Sequence, residues 1–145
     1  MTKEKTPKST AWARKNPDRV AEQQRRKRNT LRGALNSKVS AARQRARNKN
    51  LPFDLDVNFV NDMWESQSGK CALTGKQMTY RGNKNSQESF DSFSIDRIDS
   101  TKGYTRDNIQ LVKWGVNSIK SSMSMDVFFK LVADLYVFND LGEKE

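Results

Sequence analysis

Apolar residues spaced three and four positions apart predict amphipathic helices over much of this chain. The longest stripe predicts a helix from about Leu31 to Asn48 and consists of Leu31, Leu35, Val39, Ala42 and Ala46. Asp56 can cap a further helix that ends near Ser68-Gly69 and whose apolar face is Phe59, Val60, Met63 and Trp64. Ser124 can cap a last helix, whose apolar face is Phe128, Leu131, Val132, Leu135 and Phe138.

Two further helices and two short strands complete the pattern. Asn16-Pro17-Asp18 has the residues of a helix start, and the polar, basic residues 1–15 before it are predicted to be disordered. Residues 71–75 are predicted to form a short strand that enters a turn, and alternation at Phe93 and Ile95 predicts a second strand. Residues 81–92, rich in Gly, Asn, Ser and Gln, predict a surface loop. Residues 109–112 are predicted to be extended or to enter a helix over about 112–121, so the fold class is α+β.

Charge divides the chain into two unequal parts. Residues 1–50 carry 16 Lys and Arg against 3 Asp and Glu, a net charge of +13, whereas residues 51–145 carry 11 against 14, a net charge of −3. This division predicts a basic, partly disordered and partly helical arm over 1–50 that binds a polyanion, followed by a folded domain over 51–145. The arm residues predicted to contact phosphates are Arg25, Arg26, Lys27, Arg28, Arg32, Arg43, Arg45 and Arg47.

The scarcity of metal-binding side chains removes one class of site. The chain has one cysteine, Cys71, and no histidine, so we expect neither an internal disulfide nor a structural zinc site. It has no apolar run of about 18 residues and no apolar core of a signal peptide. We therefore expect a protein that is not secreted and works in the cytoplasm.

Two oxygen-bearing side chains are placed to share one hard cation. Asp96 stands at the end of the second predicted strand, and Asn117 lies on the helix that follows the hairpin. A carboxylate and an amide oxygen suffice for magnesium, which keeps several waters and takes further oxygens from phosphate. Such an ion polarises a phosphodiester and stabilises the leaving oxygen.

The order of these residues resembles that of a known family. The chain carries Trp64, then Gln67-Ser-Gly-Lys-Cys-Ala-Leu-Thr-Gly75, Ser94-Ile-Asp-Arg-Ile-Asp99, Gly103-Tyr104, Asp107-Asn108-Ile109, Asn117 and Lys120. This pattern resembles the HNH (His-Me finger, ββα-metal) endonucleases, and more narrowly the small HNH endonucleases of phages and their bacterial relatives. The resemblance covers roughly residues 51–137 and implies a ββα-metal core with flanking helices and a basic helical N-terminal extension.

The resemblance assigns a role to each matched residue. Asp96 and Asn117 correspond to the two metal ligands, for one Mg²⁺ or Mn²⁺ in each active site. Asn108 corresponds to the middle asparagine that braces the loop, and Lys120 to a lysine that approaches a phosphate. Arg97 occupies the position of the general-base histidine. The implied function is metal-dependent cleavage of double-stranded DNA, by nicking or by double-strand cutting.

Arg97 departs from the family pattern in a way that changes the chemistry. Arginine stays protonated and only donates hydrogen bonds, so it cannot take a proton from water. Metal-bound or substrate-assisted activation of water can replace the base, with Arg97 orienting the phosphate. Another group, with Asp99 the nearest carboxylate after Asp96, can serve as the base. Alternatively, the chain is a weak or inactive nuclease that mainly binds DNA. A basic RNA-binding accessory protein is a third class, which predicts better competition by RNA than by DNA.

Overall fold

Helices surround one small antiparallel sheet in this protein, which confirms the predicted α+β class. The computed structural model describes residues 10–28, 30–80 and 86–142. In chain order, the elements of these residues are α1 (Thr10–Lys15), α2 (Pro17–Arg28), α3 (Leu31–Asn48), α4 (Val57–Ser66), α5 (Ser86–Asp91), β1 (Phe93–Arg97), β2 (Ile109–Lys113), α6 (Trp114–Lys120) and α7 (Met125–Phe138). Across these described ranges, no helix combines the length and the apolar character needed to cross a membrane.

The sheet is a pair of five-residue strands that continues directly into a helix. Strand β1 pairs with β2 in antiparallel register, with Asp96 opposite Gln110 and Phe93 opposite Lys113. Helix α6 begins at Trp114, the residue after β2 ends, and the Trp114 backbone N–H donates to the Ser92 carbonyl at 2.7 Å. The residues of α6 are therefore held at a fixed position beside β1.

Helix α3 has the limits that the apolar stripe predicts. Thr30 caps it, since its Oγ1 accepts a hydrogen bond from the Gly33 backbone N–H at 3.0 Å. The predicted stripe faces inward, and the buried residues of the helix are Ala34, Leu35, Val39, Ala42 and Ala46. These residues share one hydrophobic core with Val60, Trp64 and the sheet residues Phe93 and Leu111. The packing therefore continues across residue 50, where the charge pattern places the end of the arm.

Three local predictions were wrong. Residues 10–15, predicted to be disordered, form α1, while residues 1–9 lie outside the described part of the chain. Residues 71–75 form a turn rather than a strand, because the Gly75 N–H donates back to the Cys71 carbonyl at 2.9 Å and Gly75 adopts a φ of 66°. Part of the predicted loop over 81–92 is helix α5, and its residues 81–85 lie outside the described ranges.

Helix α7 begins at the predicted residue, and most of its apolar face is exposed. Ser124 caps it, and its Oγ accepts from the Val127 N–H at 3.3 Å. Of its predicted apolar face only Phe128 is buried, and Val137 and Phe138 are 76% and 88% exposed. The apolar spacing predicted the helix correctly, whereas its burial depends on a neighbour that the described part of the chain does not provide.

Candidate functional site

A cavity of about 340 Å³ lies between α3, β1 and α6. It is lined by Lys38, Ala41 and Arg45 of α3, by residues 94–97 of β1, by Ser100 and Tyr104 of the following loop, and by Trp114, Asn117, Ser118 and Ser121. Three residues of the predicted catalytic and metal-binding set, Asp96, Arg97 and Asn117, therefore line one cavity. The charged side chains in its wall are three cations and one carboxylate, a balance that favours an anionic ligand.

Asp96 is almost fully enclosed, with 3% of its side chain exposed. Its Oδ1 accepts a hydrogen bond from Lys120 Nζ at 3.1 Å, and its Oδ2 accepts one from Gln110 Nε2 at 2.9 Å. Gln110 reaches it because the two residues are opposite each other in the strand register. Both oxygens thus have a donor, while the residue still forms part of the cavity wall.

Asn117 is held on the first turns of α6 by a partner on β1. Its Nδ2 donates to Ser94 Oγ at 2.8 Å, which fixes the orientation of the amide. The amide nitrogen is therefore engaged, and the oxygen Oδ1 is the atom of this side chain that could bind a cation. Asp96 and Asn117 line the same cavity, and their role as ligands of one cation stays a prediction.

Two guanidinium groups lie on the ring of Tyr104. Arg97 Cζ is 5.1 Å and Arg45 Cζ is 5.4 Å from the ring centroid, distances typical of cation–π contacts. Arg45 Nε also donates to Tyr104 Oη at 2.9 Å, and Arg97 Nη1 donates to the Lys102 carbonyl at 2.9 Å. Tyr104 thus orients two cations of the cavity. Tyr104 was not among the predicted site residues, although it follows Gly103 within the matched pattern.

Lys38 is a second residue of the cavity that was not among the predicted site residues. Its Nζ lies 5.7 Å from the centroid of the Phe93 ring. Burial, and secondarily the nearby Arg45 charge, lower the pKa of the Lys38 ammonium from its usual value of 10.5. The helical spacing of Lys38, Ala41 and Arg45 places all three on one face of α3, and this spacing is the signal that would have identified Lys38.

Asn108 lies behind the cavity and organises the loop between the strands. It is 5% exposed, and its Oδ1 accepts from the Asp99 backbone N–H at 2.9 Å. Its Nδ2 donates to the carbonyls of Asp99 at 3.0 Å and Gly103 at 2.9 Å. These three hydrogen bonds connect both sides of the loop that also supplies the Lys102 carbonyl to Arg97.

Two other predicted residues do not line the cavity. The Asp99 carboxylate accepts hydrogen bonds from the Thr101 hydroxyl and backbone N–H at 2.6 and 2.9 Å. These bonds lower the pKa of Asp99, which makes the carboxylate a weaker base. Lys120 is fully buried, and besides Asp96 it donates to the Arg97 carbonyl at 3.0 Å. Its ammonium is therefore enclosed beneath the site rather than presented to a phosphate in the cavity.

The predicted phosphate contacts are spread over α2 and α3. Arg25 and Arg26 are exposed on α2, where Arg26 pairs with Glu22 at 2.7 Å. Arg47 is also exposed, Arg32 donates to Asn58 Oδ1, and Arg43 lies over the Phe53 ring. The side chains of Lys27 and Arg28 lie outside the described residues. Of this predicted set, Arg45 is the residue that lines the cavity.

The fold matches that of a solved DNA-cutting enzyme. The chain superposes on the rare-cutting HNH restriction endonuclease PacI with a TM-score of 0.51 and 18% sequence identity, covering 73% of this chain and 81% of PacI. The likeness supports an HNH-type fold, in agreement with the sequence resemblance. No protein-family model and no curated protein matches the chain. Over the residues that the structure describes, no group of three or more His, Cys, Asp or Glu side chains is gathered as a metal site.

Proposed function

We propose that this protein is a metal-dependent HNH-type endonuclease that hydrolyses phosphodiester bonds of double-stranded DNA in the cavity beside β1 and α6. The observation that carries the proposal is the meeting of Asp96, Arg97 and Asn117 in one cation-lined cavity. The likeness to a DNA-cutting HNH enzyme supports the same reaction class. The proposed division of labour is a basic N-terminal arm for affinity and the HNH-like part for cleavage.

The cations of the cavity would bind the DNA phosphate. Lys38 and Arg45 of α3 line the same cavity as Arg97 of β1. Guanidinium groups bind phosphate oxygens through charged, often bidentate hydrogen bonds. The remaining basic residues of α2 and α3 would contact flanking phosphates. This affinity is largely independent of sequence, so binding should weaken steeply as salt rises.

The donor set of the cavity fits a magnesium or manganese ion. Asp96 and Asn117 both offer oxygen, the ligand atom that these hard cations prefer, and phosphate oxygens and water can complete the coordination. When bound, the cation would polarise the phosphodiester and supply an activated water at neutral pH. Asn117 is suited to this role because Ser94 holds its amide in one orientation.

Arg97 would orient the phosphate and stabilise its charge in the transition state. Preoriented donors of this kind contribute to catalysis because they do not have to reorganise as charge develops. Tyr104 and the Lys102 carbonyl hold the guanidinium, so it meets that condition. The location of Asp99 outside the cavity wall favours this role over the alternative in which Asp99 is the base.

A plasmid assay tests the proposal and separates cutting from binding. The untagged protein is incubated with supercoiled plasmid and Mg²⁺ or Mn²⁺, beside Asp96→Asn, which keeps the size of the side chain. We expect metal-dependent nicking or linearisation by the wild type and loss of cutting by the variant, with DNA binding retained. Binding without cutting under either metal would favour the alternative of a catalytically inactive DNA-binding protein.

Substitution of Arg97 distinguishes the two roles open to this position. If Arg97 holds the phosphate, Arg97→His lowers the nicking rate or leaves it unchanged. If Arg97 only fills the place of a missing general base, the histidine of Arg97→His restores that base and raises the nicking rate. Rates are compared at equal fractions of bound DNA, so that a change in affinity does not obscure the result.

A further inference from the structure

Asp96 and Lys120 form the most deeply buried ion pair among the described residues. Their side chains are 3% and 0% exposed, and Nζ lies 3.1 Å from Oδ1. The next most enclosed pair, Lys113 with Asp91, is 15% and 28% exposed. Buried charges are tolerated only with a close partner and further hydrogen bonds, because each loses its hydration.

Asp96 and Lys120 have hydrogen-bond partners within the protein and need no bound ligand to compensate their charges. Lys120 Nζ donates to the Arg97 carbonyl as well as to Asp96, and Gln110 donates to the second Asp96 oxygen. The negative charge of Asp96 is therefore already balanced within the protein. Asp96 therefore differs from a solvent-facing carboxylate whose negative charge is compensated only when a cation binds.

A divalent cation on Asp96 would stand close to the Lys120 ammonium. Magnesium lies about 2.0–2.1 Å from its oxygen ligands, so an ion on Oδ1 is at most about 5 Å from Nζ. Two positive charges at that distance repel each other strongly where little water screens them. Lys38, Arg45 and Arg97 in the cavity wall add to this repulsion.

Resting on the proposed metal-dependent nuclease function, we infer that Lys120 is a built-in counter-ion of Asp96 that opposes cation binding by the free protein. It keeps the buried carboxylate compensated when no cation is bound. A DNA phosphate in the cavity supplies negative charge that offsets the opposing cations. The divalent cation therefore binds together with DNA rather than before it. Lys120 acts through Asp96, which makes it a positioning residue.

Direct measurement of Mn²⁺ binding by electron paramagnetic resonance, without DNA, tests this inference. Lys120→Gln removes the charge but keeps a hydrogen-bond donor for Asp96. We expect it to bind Mn²⁺ at least about tenfold more tightly than the wild type, because a repelling charge has been removed. Lys113→Gln is the matched control, since it removes the same charge from another ion pair on the adjoining strand. Its Mn²⁺ affinity should equal that of the wild type.

Two further measurements test the inference. The second of them uses only the wild type and Asp96→Asn, so it stays decisive if Lys120→Gln is poorly folded. Thermal unfolding should show that the same Mn²⁺ concentration raises the Tm of Lys120→Gln more than that of the wild type, and that adding Asp96→Asn to Lys120→Gln removes the rise. In the wild type, a short DNA duplex should raise the affinity for Mn²⁺ by about tenfold or more. The signal from Asp96→Asn with the same duplex is subtracted, because it measures Mn²⁺ that does not bind at Asp96.

The outcomes separate this inference from the proposed function. Equal Mn²⁺ affinity of the wild type and Lys120→Gln, lost in Asp96→Asn, overturns the role of Lys120 and leaves the metal centre intact. Mn²⁺ binding by neither protein, with or without duplex, overturns both. A rise in affinity for Lys113→Gln equal to that for Lys120→Gln would show a general charge effect and would also overturn the inference.

Discussion

Replacement of Asn108 by alanine should both destabilise the protein and disorganise the site. The substitution removes three hydrogen bonds, one accepted from the Asp99 N–H and two donated to the carbonyls of Asp99 and Gly103. Each such bond contributes about 0.5–1.5 kcal/mol, so the expected loss in the free energy of unfolding is about 1.5–4.5 kcal/mol. The upper part of this range applies because Asn108 is 5% exposed, so water replaces these bonds poorly.

Urea unfolding followed by tryptophan fluorescence measures this loss. With an m-value of about 1–3 kcal/mol/M, the midpoint of Asn108→Ala should fall by on the order of 1 M. Asn48→Ala is the control, because Asn48 is exposed and accepts one side-chain hydrogen bond, from Gln44. Its change should stay within about 0.5 kcal/mol. A loss for Asn108→Ala no larger than that of the control would refute the bracing role of this residue.

Three further predictions concern packing, charge and the base. Phe128→Ala should lower the free energy of unfolding by about 3 kcal/mol, whereas Val137→Ala should change it by less than about 0.5 kcal/mol, as measured by thermal unfolding. Equal losses would contradict the burial of Phe128 and the exposure of Val137. Lys38→Met should weaken DNA binding yet raise the Tm. The pKa of Lys38 is lower in the folded protein than in the unfolded chain, so the unfolded chain binds more protons at pH values between the two. The free energy of unfolding of the wild type should therefore rise with pH from that lowered value to 10.5. Lys38→Met should not show this rise. Asp99→Asn should leave the nicking rate unchanged, and a large loss would restore Asp99 as a candidate base.

Local signals were sufficient for the parts of the fold that depend on nearby residues. Helix α3 has the predicted limits because its apolar stripe is a pattern of residues that are close in sequence. The turn at residues 71–75 was taken for a strand because a short apolar run has the same appearance in either structure. The apolar face of helix α7 was predicted from residue spacing, but whether that face is buried depends on which surfaces meet in three dimensions.

Some members of the candidate site were predictable from the sequence, whereas their contacts were not. Asp96 and Asn117 could be chosen because oxygen ligands on a hairpin and on the following helix suggest a shared cation. The ion pair of Asp96 with Lys120 could not, since it depends on the strand register and on the inward direction of one side chain of α6. Tyr104 was missed for the same reason, because its two guanidinium partners come from α3 and β1, far apart in sequence.

The nicking rate of Asn117→Ala tests the central claim of a nuclease centre in this cavity most directly. Supercoiled plasmid is cut under single-turnover conditions with Mg²⁺ by the wild type, by Asn117→Ala and by the exposed control Asn48→Ala. A catalytic cation contributes several kcal/mol to the transition state, and loss of one of its ligands forfeits much of that, so Asn117→Ala should be slower by on the order of 100-fold or more. The control should match the wild type. Wild-type rates in Asn117→Ala, or no nicking by the wild type with Mg²⁺ or Mn²⁺, would contradict the claim.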